Sequence, residues 1–238
     1  MRRRGFTLVE MMIAIALLAM MTSLIYVGMR INFRAREGAY RIQRVYHQAD
    51  VALNRMRRAL SMAFLSKHVD EEKSRETMFH GRSSSVTFDT MSHLRIEQAA
   101  RESDQAVVEF FLGNDKETGE KALFMREKAA IDDSPDSGGK IVMLAERVRS
   151  LKFSYYDKKA DDWQGDWKAD LAQGEEVVAD RQVQALKKTV GKLTGAEELD
   201  EFRLPDAIRI ELVLQDEEDN EYPFATALML PMTRAFDW

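Results

Sequence analysis

A single carboxylate, Glu10, stands inside an apolar run that extends from Phe6 to Val27. A carboxylate at membrane depth costs roughly 2.5–3.5 kcal/mol on insertion scales, so a chain that keeps one there has a use for it. The run of about 22 residues spans roughly 33 Å as a helix, against a hydrocarbon core of ~30 Å. A buried core helix is rarely apolar on every face at a chain terminus. A secretory signal peptide has a shorter apolar region followed by a small-residue cleavage site. Met20-Met21-Thr22-Ser23-Leu24 offers only a weak one. The run therefore reads as a retained membrane anchor. Arg2, Arg3 and Arg4 ahead of it argue for a cytoplasmic N-terminus, although Arg30, Arg34 and Arg36 follow closely behind.

The residues leading into the run, Gly5-Phe6-Thr7-Leu8-Val9-Glu10, resemble the processing site of type IV pilins and of the pseudopilins of type II secretion. In those families a prepilin peptidase cuts after the glycine and methylates the new N-terminal residue. The resemblance implies cleavage between Gly5 and Phe6 and N-methylation of Phe6. Glu10 becomes the fifth mature residue, where these families place an assembly carboxylate. It also implies a short leader on the cytoplasmic side, a single-pass anchor in the inner membrane and a periplasmic soluble domain.

The chain has 238 residues, enough for one anchor and one domain. It has no cysteine, which excludes a disulfide framework and thiolate metal sites. Its net charge is -5, which argues against a nucleic-acid-binding surface. The domain organisation expected is a leader over 1–5, a membrane segment over 6–29 and a periplasmic domain over 30–238.

Beyond the anchor the apolar spacing stays helical. Ile42, Val45, Tyr46, Ala49, Leu53, Met56, Leu60 and Phe64 recur every three or four residues, with Arg41, Arg44, Asp50, Arg55, Arg57 and Arg58 opposite. One helix is expected from about Phe6 to about Ser66. Alternating segments follow: Ser85 to Asp89, Ala106 to Leu112, Ala122 to Arg126, Ile141 to Leu144, Val148 to Tyr156, Ala207 to Leu214 and Ala225 to Leu230. Gly113-Asn114-Asp115 and Asp216 to Asn220 read as hairpin turns, while Ser66 to Ser83 and Asp132 to Gly139 read as loops. Val183, Leu186, Val190 and Leu193 predict an inserted helix over about 176–193, with disorder as the competing reading. A long helix followed by a run of strands is an α+β pattern, pilin-like, with antiparallel sheet packed on the helix.

The second half narrows the resemblance. Leu151-Lys152-Phe153-Ser154-Tyr155-Tyr156-Asp157, Trp163-Gln164-Gly165-Asp166-Trp167, and Leu204-Pro205 before Ala207-Ile208-Arg209-Ile210 resemble the J-type minor pseudopilin of type II secretion. The stretch from Lys168 to Arg203 departs from that pattern, being longer and more helical. The resemblance implies a structural subunit at the tip of a short pseudopilus, with I-type and K-type partners, supporting export of folded proteins across the outer membrane. Glu10 argues against the K-type subunit, which characteristically lacks it. The alternative is a minor pilin of a type IV pilus.

No catalytic residue, metal site or cofactor is expected. His47, His68, His80 and His93 lack metal-ligand spacing. Asp216-Glu217-Glu218-Asp219 lacks the ligand alternation of a calcium loop. Ser83-Ser84-Ser85 is not a nucleophile elbow. Trp163 and Trp167 are expected in packing or turn closure rather than as a ligand platform.

Overall fold

A computed structural model describes residues 7–69, 74–93, 103–129, 137–170 and 203–233. The expected inserted helix over 176–193 lies outside the described residues, as do Gly5 and Phe6. The chain divides into two compact units, Met1–Tyr46 and His47–Trp238, and one helix, α1 (Leu8–Ser61), contributes to both.

Within the first unit α1 carries the apolar length of the N-terminus. Its apolar side chains are exposed, with Leu8 at 76% and Leu24 at 65%. The helix is long and apolar enough to cross a membrane. No proline interrupts it, so nothing removes an i→i−4 hydrogen bond along its length.

Within the second unit Ala49, Ala52, Met56, Ala59 and Leu60 form the buried face of α1. Of the predicted stripe Val45 is buried as well, whereas Ile42 and Tyr46 are exposed and Leu53 is half-buried, so the stripe is corrected at those three positions. The helix also ends at Ser61 rather than near Ser66. Met62 and Ala63 donate their N–H groups three residues back, to the carbonyls of Ala59 (3.2 Å) and Leu60 (3.1 Å). That tightening is a common helix ending. Phe64 then donates its N–H to the Asp89 carbonyl at 3.2 Å, so the chain has already joined a sheet.

Among the described residues three antiparallel sheets follow. The strands are β1 (Lys67–Val69), β2 (Ser74–Glu76), β3 (Met78–Gly81), β4 (Val86–Thr90), β5 (Ala106–Asn114) and β6 (Lys121–Lys128). They continue as β7 (Lys140–Ala145), β8 (Val148–Asp157), β9 (Asp162–Gln164), β10 (Trp167–Asp170), β11 (Ala207–Gln215) and β12 (Glu221–Met229). One sheet pairs β1 with β2, a six-stranded sheet runs β10-β3-β4-β5-β6-β7, and a four-stranded sheet runs β12-β11-β8-β9. The α+β architecture is as the sequence predicts. The stretch read as a loop from Ser66 to Ser83 instead contains β1, β2 and β3.

Register shows where the core sits. Phe79 pairs with Phe88 and Phe88 with Val108, while Val86 pairs with Phe110. These five side chains share one face and are at most 1% exposed. In the second sheet Leu151, Phe153 and Tyr155 pair with Leu212, Ile210 and Ile208, all buried. Tyr155 meets Phe79 edge-on at 6.0 Å and donates its hydroxyl to the Arg82 carbonyl at 3.0 Å. Gly81 permits this approach, because a Cβ there would lie 2.4 Å from the Tyr155 ring. Burial pushes the Tyr155 hydroxyl above its ordinary value.

The last strand begins four residues before its predicted start, at Glu221, and contains Pro223. Its position at the edge of the four-stranded sheet explains the proline, since an edge strand tolerates a missing N–H donor.

Candidate functional site

The site at the head of α1 is built by Thr7 and Glu10. The Thr7 carbonyl accepts the N–H of Met11 at 3.2 Å, opening the helix. The Thr7 hydroxyl accepts the N–H of Glu10 at 3.3 Å, and Glu10 Oε2 accepts the N–H of Thr7 at 3.4 Å. This reciprocal pair is a capping box, which satisfies two of the donors a helix start leaves open. Glu10 also lies in the first turn, where the helix dipole favours negative charge. The carboxylate picked out as an anomaly in the apolar run thus has a local partner within the chain.

Past its apolar length, α1 carries interleaved arginine and aromatic side chains. The Arg30 guanidinium lies over the Tyr26 ring at 5.9 Å. Arg36 lies over Tyr40 at 5.2 Å and donates to its hydroxyl from Nε at 3.1 Å and from Nη2 at 2.9 Å.

In the second unit several polar groups concentrate at positions that periodicity and motif spacing do not mark. Arg203 pairs with Asp157 through Nη2 and with Asp206 through Nη1, the latter at 2.9 Å. Burial alone would raise the Asp157 carboxyl, but hydrogen bonds led by that from Arg203 outweigh it and hold Asp157 below its ordinary value. The same two carboxylates outweigh burial at Arg203 and raise it. Trp163 lies under Arg209 at 4.2 Å and beside Tyr156 at 5.2 Å, and Trp167 lies under Arg203 at 5.2 Å. The two tryptophans belong to β9 and β10 rather than to a bare turn.

Glu127 takes Arg55 Nη2 on one oxygen and His93 Nδ1 on the other, each at 2.8 Å. Asp89, 1% exposed, accepts the Met78 N–H on Oδ2 at 2.6 Å, while its Oδ1 is buried without a partner. Burial pushes Asp89 up to about 7, against the smaller opposing effect of the Met78 N–H. Sequence periodicity could not find this residue, because it stands in an alternating strand where a solvent-facing aspartate is ordinary.

The run from Asp216 to Asn220 is the hairpin turn between β11 and β12. The Asp216 carboxylate accepts the N–H groups of Glu218 and Asn220 at 2.9 Å each and the Tyr222 hydroxyl at 3.1 Å. Hydrogen bonds led by that from the Asn220 side chain hold it down at about 2. Its lone pairs are occupied by the turn itself. Among the described residues no group of three His, Asp or Glu side chains is placed to hold a metal ion.

The profile of the prokaryotic N-terminal methylation motif matches residues 1–26. The profile of the type II secretion system (T2SS) protein J matches residues 27–226. One similar solved chain comes from the GspK-GspI-GspJ complex of the enterotoxigenic Escherichia coli type 2 secretion system. It is 11% identical, with a TM-score of 0.46, over 78% of this chain and 96% of that one. No curated protein matches.

An apolar N-terminal helix carrying a methylation motif ahead of an α+β domain defines a pilin-like subunit. The chain belongs to the type II secretion system protein J family. It is a structural minor pseudopilin of that system, and the alternative of a type IV minor pilin is not favoured.

Proposed function

We propose that this subunit is cut between Gly5 and Phe6 by a prepilin peptidase, methylated on Phe6, and incorporated at the pseudopilus tip. I-type and K-type minor pseudopilins are its partners there, with its folded domain in the periplasm. The observation that carries this reading is the exposed apolar length of α1, with Leu8 at 76%, Leu17 at 57% and Ile25 at 62%. Such a surface is stable only in lipid or against other helices. Glu10 is the assembly contact. Cleavage leaves the Phe6 amine, or that of a neighbouring subunit, as its cationic partner in low dielectric. There an ion pair is far stronger than at a surface.

A second reading has its own observation. The capping box gives Glu10 a use inside a single chain, with no neighbour required.

The test is to sequence the N-terminus of the mature protein and to crosslink it to I-type and K-type subunits in membranes. Sequencing is expected to begin at Phe6, and crosslinks to both partners are expected. A mature chain starting elsewhere removes the processing site. Absent crosslinks, with processing intact, remove the tip assignment.

A further inference from the structure

From Gly28 to Tyr46 five arginines face a single carboxylate, Glu37, in a chain whose net charge is -5. This stretch sits directly after the apolar length. Leu8 to Val27 spans about 30 Å as a helix, matching the ~30 Å hydrocarbon core. Arg30 then falls about 4–5 Å beyond the core and Arg34 about 10 Å beyond it, at and just above a headgroup layer roughly 5–7 Å thick.

The side chains suit that level. Tyr26, Phe33 and Tyr40 recur every seven residues, so they line one stripe of the helix, exposed by 62%, 60% and 51%. Tyrosine is enriched at the membrane–water boundary because it has an apolar body and a polar tip. Arg30 and Arg34 flank this stripe on one side and Arg36 on the other. Helical side chains lean toward the helix N-terminus, which here is toward the membrane. Arg30 does so, lying over Tyr26 one turn back. Arg36 lies about 13–14 Å beyond the core by the same rise and is turned the other way, donating to the Tyr40 hydroxyl one turn further on, so it lies outside this level. Arginine presents a planar fork that matches phosphate oxygens in pairs.

We propose that Arg30 and Arg34, beside Tyr26, form a collar that binds the phosphates of anionic phospholipids at the membrane surface next to the apolar length of α1. The collar rests on the reading of α1 as a membrane anchor and deepens it. The anchor sets that the helix is inserted. The collar sets its depth and its preferred lipid.

The test uses the full-length chain reconstituted in bilayers of phosphatidylcholine with and without phosphatidylglycerol. Lipid that co-purifies after gentle extraction is counted by mass spectrometry. Wild type is expected to retain phosphatidylglycerol over phosphatidylcholine, with affinity falling about fivefold for each arginine removed in R30Q and R34Q. The R57Q/R58Q control removes charge from exposed positions farther along α1 and is expected to leave retention unchanged. Equal retention of both lipids by wild type overturns the proposal, as does an equal loss in the control. Displacement by inorganic phosphate beyond the effect of sodium chloride at equal ionic strength also overturns it, in favour of a free-phosphate site. So does displacement by a short DNA duplex, in favour of nucleic acid. Carbonate-resistant insertion into pure phosphatidylcholine is measured alongside. Failure of wild type to insert sinks the anchor reading and the collar with it, whereas insertion without lipid preference sinks the collar alone.

Discussion

The indole N–H of Trp167 donates to the backbone carbonyl of Arg203 at 2.8 Å, while the Arg203 guanidinium lies over the same indole ring at 5.2 Å. Two positions 36 residues apart are thus held together twice, once through the backbone and once through the side chain. They flank the stretch that departs from the J-type pattern.

Arg203→Ala is expected to lower stability by about 1.5–3 kcal/mol, the usual range for losing hydrogen bonds to charged groups. Asp157 and Asp206 would be left close together without the cation that neutralises both. Urea denaturation of the chain in mild detergent measures it. The loss should shrink as the pH falls toward and below the carboxylate range. Asp157, depressed in the folded state, contributes stability above its unfolded value and loses it as pH falls. An unchanged midpoint at neutral pH would show the cluster to be a surface ornament.

The second prediction concerns the helix face. Met56 is 0% exposed, whereas Ile42 is 46% exposed although both fit the same three-to-four spacing. Met56→Asp places an unpaired charge in the core and is expected to abolish cooperative unfolding. Ile42→Asp is expected to shift the midpoint by less than about 0.5 kcal/mol in equivalent stability, as for an ordinary surface change. Near-equal effects of the two substitutions would contradict the burial pattern.

That pair marks what the sequence could tell and what it could not. Periodicity located α1 because a 3.6-residue repeat accumulates over many turns. It could not say where the stripe stops touching the domain, since Ile42 and Met56 are alike in chemistry. Alternation located β4 to β8 and β11. It missed β1, β2, β3, β9 and β10, which at three or four residues complete at most two cycles of the pattern. The start of β12 was hidden by Pro223, which is admissible there only because the strand is an edge. Glu10 was legible because a lone charge in an apolar run has no ordinary explanation. Arg203 was not, because its partner Asp157 lies 46 residues away and charged residues are common throughout the chain.

Asp89 supplies a prediction in pH. Its carboxyl lies at about 7 in the folded protein, raised by burial from its ordinary 3.8. The folded state therefore holds a proton that the unfolded state releases between those values. Stability contributed by this group is fully present below about 4 and falls as pH rises through about 7, by up to roughly 4 kcal/mol. Asp89→Asn keeps an acceptor for the Met78 N–H and cannot ionise. The melting temperature of wild type is expected to drop between pH 5 and pH 8 more steeply than that of the variant. Parallel profiles would mean that Asp89 does not titrate in this window.

Glu10 has two candidate uses, and they can be separated by one pair of substitutions. The capping box needs an acceptor three residues into the helix, and glutamine supplies one as glutamate does. An assembly contact with a terminal amine needs negative charge, which glutamine lacks. Glu10→Leu removes both. If the cap is the whole role, Glu10→Gln assembles like wild type and Glu10→Leu loses about 0.5–2 kcal/mol of helix-start stability, the usual cost of a lost cap. On the charge reading, Gln and Leu fail alike. An unpaired amine buried among apolar helices costs several kcal/mol whatever neutral residue faces it. The charge reading is the one expected here, because the cap alone does not require a carboxylate at a depth where its insertion is costly. Processing at Gly5 and membrane insertion are expected to survive both substitutions, so crosslinking to I-type and K-type subunits reads assembly alone. Wild-type crosslinking by Glu10→Gln would assign the residue to the helix cap and remove it from the interface.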